Sequence, residues 1–218
     1  YSLQEGPDDS VKDFAPIGFV VSTPLVFCAC PGLGLKSIKH LVEMAKAKNG
    51  ALTYGSVGPG SLPHLSTALF ARAAGVTMTH VPYKGDSQAL IDVLPGRIPL
   101  MISGYPASAP HVQAGTLKAL AVTSAARMAA YPDIPTVAES GAPGYEIEAW
   151  TGFFVPSGTP PEVIAKLVDA WRRASQQPEL LQRASGAGFD IKFEGPEAIG
   201  ARMRKDLESC RTAIQKAG

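Results

Sequence analysis

Strand-patterned and helix-patterned segments alternate along almost the whole chain, and few folds accommodate that order. A strand followed by a helix and a second strand returns as a neighbour in one sheet, with the helix packed on a face. Short apolar runs at 17–21, 25–29, 51–55, 76–81, 98–102, 117–123, 149–155 and 188–193 read as strands. Between them lie helical stretches. At 37–48, Ile38, Leu41, Val42 and Ala45 fall on one face, and Gly50 ends the run. The segment 62–74 stops at Gly75. Asp86 is placed to cap a helix over 86–94, and 107–113 closes before Gly115. Thr159 caps the next helix with Pro160 in its first position, and Ile164, Leu167, Val168 and Trp171 make its buried face. Further helices follow at 178–187 and from Pro196 onward. The stretch 131–145, with Pro132, Pro135 and Pro143, reads as an ordered loop. The order predicts an α/β protein with mostly parallel sheets, whose ligands bind at the carboxyl ends of strands.

Composition narrows the class. The 218 residues carry 20 basic and 19 acidic side chains, a formal net charge of +1. That balance gives no electrostatic reason to expect nucleic acid or an anionic membrane as partner. No apolar run reaches the length of a membrane span, so no direct membrane insertion is expected. The opening Tyr1-Ser2-Leu3-Gln4-Glu5 has no Met and no basic stretch, and gives no address. Of the three cysteines, Cys28 and Cys30 share a face of one strand and Cys210 lies on the last helix. All three are expected as buried or unpaired thiols, not metal ligands.

Four places at strand ends have side chains suited to a site. In Tyr54-Gly55-Ser56-Val57-Gly58-Pro59-Gly60-Ser61-Leu62-Pro63-His64 a strand enters a Gly-rich turn and then a helix. Glycines let a ligand approach the backbone, and unpaired N–H groups at a helix start favour an anion. The spacing matches neither the dinucleotide fingerprint nor the phosphate loop. A plain tight turn with Ser61 as cap is the competing reading, and His64 is expected to anchor the loop. The second place is His80-Val81-Pro82-Tyr83-Lys84-Gly85, where Tyr83 offers a donor and Lys84 a cation or an ordinary solvated charge. The third is Ser103-Gly104-Tyr105. The fourth is Trp150, a core residue or a ligand platform. No nucleophile–base pair, metal-binding cluster or cofactor motif is visible, so no cofactor and no metal are expected.

These segments together resemble the Bug family, the TctC-like solute receptors of tripartite tricarboxylate transporters. The matching motifs are Asp13-Phe14-Ala15-Pro16, Tyr54-Gly55-Ser56 with Gly58, Gly60 and Pro63-His64-Leu65, and His80 to Gly85. Then come Leu120-Ala121-Val122-Thr123-Ser124 with Arg127, Pro132 to Glu139, Trp150, and Pro156 to Glu162. The resemblance implies a two-lobed periplasmic binding protein, a Venus flytrap, that binds a small carboxylate and hands it to the membrane components of a tripartite transporter. The Gly-rich loop Gly55 to Ser61 matches the family's second-lobe gripping loop, and with the strand-end residues above, ligand contacts are expected from Ser56, Val57, Gly58, Pro59, Gly60, Ser61, His64, Tyr83, Lys84 and Ser103. Residues 32–146 are expected as the second lobe. Residues 1–31 supply part of the first lobe and a crossover, and 147–218 supply the other crossover and the return. Gly32 and Gly34 are candidate hinges. The family places a strand and a further Gly-rich loop ahead of the Asp-Phe-Ala-Pro motif. Only twelve residues stand there in this sequence, so the first lobe's grip is expected to be missing and binding to be weakened. The family's acidic or amide residue after the strand ending at Ile102 is replaced by Ser103, which points to a different ligand preference. Two other readings compete: an acyl or phosphoryl transferase using the Gly-rich loop as an anion site, and a regulatory ligand-binding domain.

Overall fold

The computed structural model of the chain describes residues 11–186 and 189–217, and the side chains of all of these except 186, 190 and 209–217. The expected thiol of Cys210 and the start of the strand at 188 lie outside that description. The chain divides into two compact units, Pro24–Ala149 and a second made of residues 1–23 with 150–218. The first boundary falls at Thr23–Pro24, earlier in the chain than the expected start of the second lobe at residue 32. Leu25 to Ala29 are hydrogen-bonded deep in the sheet of the first unit, and Gly32 and Gly34 lie inside that unit.

The two expected strands at 17–21 and 25–29 are one continuous strand, β1 (Phe14–Ala29). Pro24 has no N–H to give a ladder, and the strand changes partners there. Before it β1 pairs with β6 (Glu148–Pro156) and β7 (Asp190–Glu194), and after it with β4 (Leu100–Gly104) and β5 (Lys118–Val122).

In the Pro24–Ala149 unit the sheet runs β3-β2-β4-β1-β5, with β2 (Thr53–Ser56) and β3 (Thr79–Pro82). It is mixed, where strand–helix alternation led us to expect a mostly parallel one. β2 lies parallel to β3 and β4, whereas β1 runs antiparallel to β4 and β5. β1 enters the unit without a preceding helical crossover, so nothing constrains it to the direction of its neighbours. One face packs α1 (Ile38–Lys48) and α2 (Leu62–Ala74) over Phe27, Tyr54, Leu100 and Ile102. The other packs α3 (Asp86–Val93) and α4 (Tyr105–Gln113) over Val26, Cys28 and Met101. Cys28 and Cys30 are free and buried, and burial pushes the Cys28 thiol up to about 12. Helix α3 starts one residue away from expectation: Gly85 is its N-cap, and Asp86 is the first helical residue, with no role as cap. The 131–145 loop is ordered. It lays Thr136 beside Val122 and buries Val137 and Tyr145, whose hydroxyl donates to the Ser66 carbonyl at 2.8 Å.

In the other unit, α5 (Pro161–Ala174) and α7 (Pro196–Ala217) accompany β6, β7 and the start of β1, with α6 (Pro178–Gly186) between α5 and β7. Pro160 is the N-cap of α5 and Pro161 its first residue, one position later than expected with Thr159 as cap. Of its expected buried face only Trp171 is buried. Its indole N–H donates to the Phe19 carbonyl at 2.7 Å, while Leu167 remains 40% exposed. Trp150 donates its indole N–H to Asp206 at 2.6 Å. Gly152 lies against Ile199, a fully buried side chain, and a Cβ there would also come within 3.0 Å of Phe154 and 3.3 Å of the Gly18 carbonyl. Gly152→Ala is therefore expected to cost about 1–3 kcal/mol through overpacking. Denaturant unfolding checks this, and no change in midpoint would show that Ile199 has room to move. No helix among the described residues is long and apolar enough to cross a membrane.

Candidate functional site

The carboxyl ends of β3, β2 and β4 lie side by side, and each feeds a helix: Ser56 leads toward α2, Pro82 toward α3 and Gly104 into α4. This edge of the sheet therefore collects three helix starts, the positive ends of their dipoles. β5 ends there too. Thr123 ties that end down, since its Oγ1 accepts from the Leu25 N–H at 2.9 Å and donates to the Leu25 carbonyl at 3.2 Å.

The β2–α2 turn is shaped by its glycines. Gly58 has φ 116° and Gly60 φ 73°, backbone conformations that side-chain-bearing residues rarely adopt. Ser61 caps α2: its hydroxyl accepts from the His64 N–H at 3.4 Å and donates to the Gly58 carbonyl at 2.7 Å. His64 Nδ1 accepts the Gly60 N–H at 3.1 Å, so this side chain anchors the loop. Ser56 is buried, with its Oγ 2.7 Å from His80 Nε2. His80 is stacked between Tyr54 at 5.1 Å and His64 at 4.2 Å, measured between ring centroids. Burial, then the neighbouring His64, pulls the His80 pKa down to about 4, and burial lowers that of His64.

The other expected site residues divide. Val57, Gly58, Gly60, Ser61 and His64 are half-buried and Pro59 is exposed, all within this one turn and helix start. Tyr83 lies with its ring against Gly55 and gives its backbone N–H to the Ser56 carbonyl at 2.9 Å. Its hydroxyl donates to Asp92 at 3.0 Å, so the donor expected to face a ligand is already engaged. Lys84 is exposed. Ser103 is fully buried at the end of β4, and its hydroxyl has no hydrogen-bond partner among the described residues. Sequence reading missed His80 as a partner of Ser56, and so found no hydroxyl–imidazole pair where the structure has one. The pairing follows from the parallel register that sets Tyr54 beside His80, which is not a local sequence signal.

Two α/β units, with a Gly-rich turn at the strand ends of one of them, make up a periplasmic-binding-protein fold. The family model described as "Tripartite tricarboxylate transporter family receptor" matches residues 2–216, and the chain belongs to that family. Among solved structures it is similar to R. palustris Rpa4515 with adipate, at 31% identity and TM-score 0.87 over 99% of this chain and 72% of that one. It is also similar to MatC from Rhodopseudomonas palustris with bound malate, at 26% identity and TM-score 0.83 over 97% and 73%. A curated Pseudomonas sp. relative, a UPF0065 protein of the tcbD-tcbE intergenic region, is 32% identical over 95% of this chain and 62% of its own length. The chain spans 61–65% of the length of three curated relatives, this one, an Agrobacterium vitis UPF0065 protein and the Bordetella pertussis protein BugT.

Proposed function

We propose that the chain is the ligand-binding part of a periplasmic receptor that captures a small carboxylate for the membrane components of a tripartite transporter and leaves it chemically unchanged. The observation that carries this reading is the β2–α2 turn. Its positive-φ glycines let an anion approach the backbone with little side chain in the way, and the 13-residue helix that Ser61 caps directs its positive end at the turn. The turn residues Val57, Gly58, Pro59, Gly60 and Ser61 are proposed to make the grip, with His64 and Lys84 around them and Ser56, Tyr83 and Ser103 supporting it from behind. The adipate and malate held by the two R. palustris proteins support a dicarboxylate as the first class to try.

The Ser56–His80 pair favours the competing enzyme reading. A nucleophile must reach its substrate, however, and the base needs a group that orients it. Ser56 is 1% exposed, and the groups flanking His80 are aromatic rings, not a carboxylate. We therefore expect a panel of dicarboxylates to raise the melting temperature by mass action, and mass spectrometry to recover the best ligand intact after prolonged incubation. Product in excess of protein would establish the enzyme reading. A panel that leaves the melting temperature unmoved would remove the carboxylate assignment.

A further inference from the structure

The two stacked histidines hold opposite ends of the ligand turn. His80 touches Ser56, where β2 enters the turn, and His64 holds the amide of Gly60, just ahead of the α2 cap. We propose that His64 and His80 are positioning residues that keep the turn in its ligand-ready shape only while both rings are uncharged, so that acid releases it. This rests on the turn's assignment as the ligand grip.

The chemistry follows from donor and acceptor counting. An imidazole nitrogen that accepts an N–H must present a lone pair. His64 Nδ1 accepts from Gly60, so the neutral ring carries its proton on Nε2. Protonating Nδ1 turns that acceptor into a donor facing a donor, and the bond is lost. Protonating His80 places a cation 4.2 Å from the centre of the His64 ring, and charging both sets like charges face to face. Among the described residues, the titratable groups stacked on the pair are Tyr54 from β2 and the histidines themselves, from α2 and β3. Burial holds the Tyr54 hydroxyl at about 12, so it carries no charge to offset a cation.

The sign follows from both histidine pKa values being depressed on folding. The uncharged pair contributes its full stabilisation above the unfolded histidine value of about 6.5. That contribution is lost as the pH falls toward about 4, where His80 takes up its proton in the folded chain. At neutral pH the turn is locked, and an acid surrounding loosens it.

The test begins without ligand, using the isotopically labelled chain in solution. The Gly60 amide and the ring nitrogens of His64 and His80 are followed by NMR from pH 7.5 to 3.5, with the amides of Leu120 and Ala121 in β5 as controls for the fold. The Gly60 amide is expected to shift together with the ring titration, below the pH at which a free histidine titrates, while the β5 amides stay still. A Gly60 amide that does not move as the rings titrate, or that moves only with the β5 amides, overturns the proposal. His64→Asn keeps an amide oxygen where Nδ1 stands, and His80→Gln keeps polar atoms where Nε2 stands, without a titrating ring. In the double variant the Gly60 transition should vanish. Adipate affinity between pH 7.0 and 4.5 should fall at least tenfold more in the unmodified chain than in the double variant, a comparison that cancels the ligand's own protonation. Equal losses overturn the proposal. Failure of adipate to bind either protein at pH 7.0 counts against adipate as the receptor's ligand, and the ligand-free titration then decides the histidine pair alone.

Discussion

Replacing Gly60 by valine is expected to weaken carboxylate binding by at least a hundredfold while leaving the protein folded. Gly60 has φ 73°, and a β-branched residue held there costs of order 1–3 kcal/mol. The chain can escape that strain by moving the turn, which breaks the Gly60 N–H to His64 bond and redirects the N–H groups beside it. Two hydrogen bonds to a charged ligand, at roughly 1.5–3 kcal/mol each, are then lost or misaligned. Since about 1.4 kcal/mol corresponds to a factor of ten, the loss exceeds a hundredfold. Gly58→Val tests the same turn by a different route. Gly58 has φ 116°, and a Cβ there meets the Tyr83 carbonyl at an ordinary 3.7 Å, so backbone strain and not collision does the damage. The turn lies at the sheet edge, so for a protein of this size the melting temperature should fall by less than about 10 °C. Calorimetry with the best ligand of the panel reads the affinity. If both variants bind as tightly as the parent, the turn is not the grip.

What the sequence made legible follows how local each signal is. Helix α2 was readable to the residue, because its Ser61 cap and its Gly75 stop both lie within the segment they delimit. The Pro-rich 131–145 stretch read as ordered for a similar reason: apolar residues such as Val137 and Tyr145 recur inside it and end up buried. Helix starts at Gly85 and Pro160 were off by one because each offers two adjacent candidates, and backbone angles decide between them. Strand direction was not legible. β1 reads like any other apolar run, and its antiparallel pairing with β4 and β5 depends on partners far along the chain. The site divided on the same line. The Gly-rich turn and the anchoring role of His64 were visible, being contiguous. His80 was not, because its link to Ser56 and Tyr54 exists only once β2 and β3 are laid in register. Tyr83 looked like a free donor, since its partner Asp92 lies two turns further along the chain, on α3.

Truncating Phe27 to alanine is expected to be the most damaging single change in the Pro24–Ala149 unit, at about 3–5 kcal/mol. Phe27 is fully buried in β1 between β4 and β5, with its ring 4.9 Å from that of Phe70 on α2. It lies on the same strand as Leu25, which Thr123 clamps at the edge where β2, β3 and β4 end. Removing the ring leaves a cavity that neighbouring strands cannot close without breaking ladder hydrogen bonds, so the cavity cost adds to the lost burial. The melting temperature should fall by roughly 6–20 °C. In urea the midpoint should drop while the slope stays the same, because the unfolded chain exposes nearly the same surface. Phe27→Leu keeps much of the volume and should cost less than about 1.5 kcal/mol. The two variants separate packing from mere hydrophobicity: if alanine and leucine destabilise equally, ring volume at position 27 is not what holds the sheet to α2. An alanine variant that loses under about 1 kcal/mol would mean that the core of this unit is centred elsewhere.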